Sequence, residues 1–391
     1  MPAPVTPPTF GVTLNSDTGT MPSFQVGSVR FWDSYTMWAD LEPRRDEFQW
    51  TTLDRLVTGA QHAGKPALLT LGGTPAWAAP NGNKSLYPDH ARSSPPDNLT
   101  DWDTFVRALA TRYRGRLEAY ELWDTANDRH FYSGSVETLV TMVRRAAWII
   151  RSEDPAATVV CPSMGHLSEA AGLLFVRRFA ELGGYDSCDV AGLKMRWRPA
   201  DQPPETMAAE LAAVHLTLHT AGVGPPLWDT GPDYDVVDQP SVTGGRARDY
   251  AVRFYLMGLY GRDLDLERAY FYDWGGVRIP IVLQIEGEAP TPAARAIDQL
   301  QRWLAGTSIR GCGHGHAADL PDNVWQCEFT GSTDENQNKI VIWAVTSAAD
   351  IAIGSRGAIV HRLDGTVTQV APNGTTRITE DPVLITTVIS R

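Results

Sequence analysis

Eight short apolar or β-branched runs punctuate the larger part of the chain. They are FGVTLN (10–15), VGSVRFWD (26–33), PALLTLGG (66–73), AYELWD (119–124), TVVCPSM (158–164), DVAGLKMR (189–196), PPLWDTG (225–231) and RAYFYDW (268–274). Stretches with helical spacing lie between most of them, at 51–63, 101–114, 136–152, 167–182, 205–221 and 246–260, and one more follows at 291–305. Parallel strands cannot be joined by a tight turn, so each return needs a crossover helix. Eight such units predict an α/β fold, a (β/α)8 TIM barrel over residues 9–308. Only the first connection, 16–25, is too short for a helix. Beyond about residue 308 the period changes: KIVIWAVT, GAIVHRLDG, TVTQVAPNG and PVLITTVIS alternate and are separated by Asn-Gly and Asp-Gly turns. A small antiparallel β domain, sandwich-like, is expected over 309–391.

In such a barrel chemistry belongs at the carboxyl ends of the strands. That rule selects Arg30 and Asp33, the TPAW turn at 74–77, Asp124 to Asp128, Lys194 and Arg196, Asp229 to Tyr234, and Asp273 with Trp274. A net charge of -12 disfavours nucleic acid and anionic membrane surfaces as partners and favours a neutral small molecule. Thirteen Trp and twelve Tyr exceed what a core needs and suggest flat faces for stacking. No Gly-rich phosphate loop follows a strand, so no nucleotide cofactor is expected. No apolar run reaches membrane-spanning length, and MPAPVTPPTF lacks the charged start and apolar stretch of a signal peptide; a soluble, by default cytoplasmic, chain is expected.

Four cysteines are too few for a disulfide framework. Cys161, inside TVVCPS, reads as a buried thiol. Cys312 and Cys327 flank a loop that a disulfide could close; with His314 and His316 they also suggest zinc, but the spacing matches no standard finger and no metal is expected.

The stretches VRFWDSYTMWADLEPRRDEFQWTTLDRLV, LLTLGGTPAWAA, RYRGRLEAYELWDTAND, FYSGS with DPAATVVCPS, PLWDTG, YFYDW and RWLAG resemble clan A glycoside hydrolases. The likeness is to the β-xylosidase and α-L-iduronidase branch and the cellulase-like proteins near it, and the terminal β domain resembles that group's accessory domain. It implies a mechanism with two glutamates, an acid/base after Trp-Asn on the fourth strand and a nucleophile after Thr on the seventh, their carboxyls about 5 Å apart. Both positions depart from the pattern. WDTAN puts Asp124 where the family has Asn and Thr125 where it has the acid; WDTGPDY follows Thr230 with Gly231; Lys194 stands where the family often has His. A threonine hydroxyl does not yield a proton near neutral pH, and loss of general acid help alone costs about 10² to 10⁴ in rate. Glu121 and Asp229 lie close by, but strand alternation puts them at other depths, in the barrel layers.

Three readings compete. In the first the protein binds a saccharide or glycoside-like molecule without cleaving it, as a polysaccharide-recognition protein of a cell or virus surface would, with Trp32, Trp38, Trp77, Trp123 and Trp274 as stacking candidates. In the second the mouth is refitted for another reaction, with Asp124, Asp229, Asp273 or Lys194 as acid, base or nucleophile, Lys194 being a Schiff-base former or simply one half of an ion pair. In the third it is an active glycosidase using Asp124 with Asp229 or Asp233 as an inverting pair. Arg30 resembles the family's substrate-site arginine or neutralises Glu121. Asn127 is expected to cap the following turn, with a sugar contact as the lesser role; Arg196 and Tyr234 are further ligand contacts, and Asp233 and Asp235 belong to a solvated loop.

Overall fold

The computed structural model describes residues 3–86, 90–232, 239–331 and 338–387. The eight runs form parallel strands: β1 (Phe10–Leu14), β2 (Ser28–Phe31), β3 (Ala67–Thr70), β4 (Ala119–Glu121), β5 (Thr158–Met164), β6 (Val190–Met195), β7 (Leu227–Pro232) and β8 (Leu266–Trp274). They close into a barrel, β8 pairing with β1 through Ala269 opposite Phe10. Among the described residues seven helices longer than two turns cover it: α1 (Thr51–His62), α2 (Leu99–Arg112), α3 (Val136–Glu153), α4 (Ala170–Glu181), α5 (Met207–Thr220), α6 (Gly244–Tyr260) and α7 (Pro292–Leu304). In α1, Leu53, Leu56, Val57 and Ala60 supply the buried stripe. Asn98, Ser135 and Thr291 cap α2, α3 and α7 by accepting from the amides of Thr100, Thr138 and Ala294. β1 reaches β2 through a loop with no helix.

Successive side chains on a strand point to opposite faces, so each strand supplies the interior at every second residue. Leu68, Ala119, Val160, Val190, Trp228 and Tyr270 pack together as one apolar cluster inside the barrel. Two residues further up three of the same strands stand Thr70, Glu121 and Thr230, all buried, so the lining turns polar toward the mouth.

After α7 the chain builds an antiparallel sheet in the order 307–314, 324–331, 338–344, 383–387, 358–362 and 367–370, and the N-terminal Ala3–Pro4 adds an edge strand beside Ser308 and Ile309. A two-stranded sheet (349–352 with 375–378) accompanies it. This β domain is welded to the barrel. Trp343 Nε1 donates to Glu205 Oε1 at 2.6 Å, and Glu205 also takes the wholly buried Arg253 of α6 at 2.5 Å. Among the described residues no helix is long and apolar enough to cross a membrane.

Cys312 and Cys327 face each other on neighbouring strands and form a disulfide. With both sulfurs consumed they leave no zinc set; His314 stacks on Trp325 at 4.1 Å instead. The reading of Cys161 as a free thiol is corrected: it is bonded to Cys188, which ends the α4–β6 connection beside its own strand. Closing a loop of 27 residues contributes about 3.5 kcal/mol through the entropy of the unfolded chain. The double variant Cys161→Ala/Cys188→Ala is therefore expected to lose about that much stability in chemical denaturation, and reductant should shift the wild-type midpoint in the same direction.

Candidate functional site at the barrel mouth

The polar layer is one ion network. Arg30, rising from β2, gives its Nε to Glu121 Oε2 at 2.9 Å and its Nη2 to Asp124 Oδ1 at 2.5 Å. Lys194, from β6, reaches the same Asp124 oxygen at 2.7 Å and donates to the Thr230 carbonyl at 3.1 Å. Thr70 and Thr230 hydroxyls complete Glu121 at 2.5 and 2.7 Å, and Thr125 Oγ1 donates to Asp124 Oδ2 at 2.9 Å. Two carboxylates thus face two cations, with no side chain of the four more than 4% exposed. Burial opposes charge on Arg30, but Glu121 and Asp124 outweigh it and hold the guanidinium pKa above its ordinary value. Burial likewise opposes charge on Asp124, and Lys194 and Arg30 override it, leaving that carboxyl below the usual range. Lys194 is therefore half of an ion pair, and Arg30 neutralises both Glu121 and Asp124.

The two positions singled out by the family pattern flank this network. Thr125 is buried with a left-handed backbone (φ 43°), its amide donating to Ser163 Oγ. Gly231 (φ 125°) leaves a space where a Cβ would lie 3.6 Å from Lys194 Nζ and 3.8 Å from Thr13 Oγ1. Beside the network opens a cavity of about 260 Å³ lined by Asn15, Trp32, Asp33, Tyr35, Met37, Asp40 and Tyr272. Tyr272 OH donates to Asp33 Oδ2 at 2.7 Å. Asp273, behind it, accepts from Asn15 Nδ2 at 3.0 Å and from the Gly276 amide at 3.1 Å. Burial raises the pKa of Asp33, and burial with the nearby Asp33 charge pushes Asp273 up to about 7.

Several expected contacts belong elsewhere. Trp38, Trp123 and Trp274 are core residues, each 1% exposed or less, and their indole N–H groups are taken by Glu42, the Phe131 carbonyl and Gln284. No ring face is left for a ligand. Trp77 is half-buried over the Glu42 carbonyl, with Arg45 4.6 Å above its ring. Trp32 alone of the five lies on the cavity wall. Asn127 caps no turn; its amide clasps Gly165, accepting from the amide at 2.7 Å and donating to the carbonyl at 2.6 Å, and so ties the β4 loop to the β5 loop. Arg196 is half-buried at the end of β6, its amide held by Glu210.

Asp229 is corrected by alternation: its neighbours Trp228 and Thr230 face the interior, so it points outward, where Glu210 of α5 is among the charges acting on it. It does not face Asp124. Asp233, Tyr234 and Asp235 lie outside the described residues. Asn15, Tyr35 and Tyr272 were missed as cavity residues. Their signal was modest: TLNS and YFYDW end β1 and β8, the two strands that precede β2 and its mouth-facing Asp33 around the closed barrel.

The sequence matches no family model and no curated protein. Its structure is similar to a glucosidase from Croceicoccus marinus (15% identity, TM-score 0.69, covering 100% of this chain and 98% of that one). It is also similar to a family 39 glycoside hydrolase from the gut symbiont Bacteroides cellulosilyticus WH2 (14%, 0.68, 98% and 81%) and a monomeric beta-xylosidase from Caulobacter crescentus CB15 (13%, 0.65, 99% and 98%). The fold is that of the glycoside hydrolase barrels. Within this glycoside hydrolase fold the likeness extends over the β domain, since those two enzymes with near-complete mutual coverage match the chain from end to end.

Asp229 provides a test of the electrostatics. Burial drives its carboxyl up to about 8, against the weak pull of the Met195 and Gly231 amides and of Lys194, and Oδ2 has no hydrogen-bond partner among the described residues. The unfolded chain ionises this group at about 3.9, so between the two values the folded state holds the extra proton and stability falls as pH climbs. Asp229→Asn removes that slope. Its melting temperature is expected to draw ahead of wild type as buffers go from about pH 5 to about pH 9, with little difference at the acid end.

Proposed function

We propose that this barrel recognises a saccharide or glycoside-like ligand at its mouth and does not carry out ordinary glycoside hydrolysis. One observation carries the reading: the ammonium of Lys194, locked to Asp124 at 2.7 Å, borders the space at Gly231 where the resemblance puts an attacking carboxylate. Thr125, at the position of the acid, spends its hydroxyl on Asp124. Neither position offers a group that can protonate a leaving oxygen or attack an anomeric carbon. What remains is suited to binding. Trp32, Tyr35 and Tyr272 supply aromatic surface, Asn15 and Asp33 supply polar groups, and Thr13 Oγ1 beside Gly231 has no hydrogen-bond partner among the described residues. A ligand hydroxyl entering that space would meet Thr13 and Lys194.

A second reading has its own support. Burial and the neighbouring Asp33 push the Asp273 carboxyl up to about 7, which would suit a proton donor or acceptor in a reaction other than hydrolysis. Turnover of a non-glycosidic substrate lost in Asp273→Asn would favour it.

The test is a panel of nitrophenyl glycosides together with calorimetry against oligosaccharides. Saturable heat without nitrophenol release is expected. Tyr35 is 66% exposed on the cavity rim, so Tyr35→Ala should leave the melting temperature unchanged. It should weaken binding by about 1 kcal/mol, roughly fivefold. Robust release of nitrophenol, abolished by Asp124→Ala, would defeat the proposal.

A further inference from the structure

A second cluster of ligating side chains sits on the opposite end of the barrel from the mouth. His215 and His219 are one turn apart on α5, their rings 4.1 Å between centroids. Asp265 faces them from the corner before β8. That corner is rigid. Asp265 holds a left-handed backbone (φ 64°), and its carbonyl accepts from the Leu227 amide at the start of β7 at 2.8 Å. Both histidines aim Nε2 at one carboxylate oxygen, Asp265 Oδ2, at 3.3 and 3.4 Å.

These distances decide what the cluster is for. A good N–H to oxygen hydrogen bond has its atoms about 2.9 Å apart, so both contacts are long, His219 making only a stretched hydrogen bond at 3.4 Å. Ligands about 2.0 Å from a tetrahedral metal lie about 3.3 Å from one another, which is the separation found. The three ligand atoms all lie within 4.8 Å of each other. Side-chain exposures of 26%, 51% and 48% leave an outer face open to water as a fourth ligand.

We propose that His215, His219 and Asp265 bind a divalent transition metal, zinc above all, and that the ion clips α5 to the β7–β8 corner. Two imidazoles and one carboxylate suit zinc, cobalt, nickel or copper; calcium and magnesium prefer all-oxygen sites. The position, at the amino ends of the strands, assigns the ion to stability and not to chemistry at the mouth. The proposal is independent of what the mouth binds.

The experiment uses the full chain after chelator treatment. Zinc is titrated by calorimetry and cobalt by visible absorption, and melting temperature is read with and without zinc. One saturable equivalent, a cobalt ligand-field band and a zinc-dependent rise in melting temperature are expected. His219→Ala and Asp265→Asn should each weaken binding at least about tenfold, and asparagine tolerates the left-handed backbone. His215→Ala/His219→Ala should abolish the site, while His314→Ala/His316→Ala should leave it intact. Absence of saturable binding to either ion would overturn the proposal, as would binding that survives in the His215→Ala/His219→Ala protein.

Discussion

Everything at the mouth depends on how Glu121 is neutralised. A carboxylate inside a closed barrel has lost its water, at a cost of several kcal/mol, and must recover that from partners at hydrogen-bond range. Arg30 and the hydroxyls of Thr70 and Thr230 provide them from three other strands. Arg30 has a second half to its fork, which reaches Asp124; Asp124 then has a free flank, which takes Lys194. Each added ion is compensated only by the next. The chain of compensation ends on the Thr230 carbonyl, beside Gly231.

That sequence of demands explains why the polar residues at the mouth are not interchangeable with reactive ones. Asp124 is held ionised by two cations, so it has no proton to give. Lys194 is anchored at both the carboxylate and a backbone oxygen, so its approach to a ligand is limited to the side facing Gly231. Open space is displaced toward β1, β2 and β8, where Tyr272 donates to Asp33 and Asn15 to Asp273 and burial still raises both carboxyls. The groups with unsettled protonation are at the rim of the network. Those at its centre are fixed.

The barrel itself was legible because its signals are local: a strand announces itself by apolar β-branched runs and a helix by spacing, and the eight runs and seven helical stretches fall within a few residues of their observed bounds. Side-chain direction was less legible. A tryptophan such as Trp123 looks the same in sequence whether it faces the mouth or, as here, packs on Trp102 of α2 and Tyr132. Alternation counted from Trp228 would have turned Asp229 outward, but the interior parity of β7 is known only once Trp228 is seen against Tyr270. Pairings distant in sequence, Cys161 with Cys188 or His219 with Asp265, depend on which segments the closed sheet brings together, and no local pattern carries that.

The two ends of the barrel follow from one gradient. At the amino ends of the strands the interior is filled by Trp228, Tyr270 and aliphatic side chains, with Arg268 stacked on Trp228 and paired with Glu118 below them, while Asp265 and the α5 histidines stand outside. Toward the carboxyl ends the lining becomes charged, and charge inside a barrel forces the self-satisfied network already described. A network so closed is a plug as much as a site. Discrimination among ligands then falls to residues on the cavity wall beside the plug, the exposed Tyr35, the half-buried Tyr272 and the edge of the largely buried Trp32, and these stand on or just beyond the ends of two strands, β2 and β8, that flank β1 in the closed barrel. The plug fixes the floor, and the loops beyond β2 and β8 set what can rest on it.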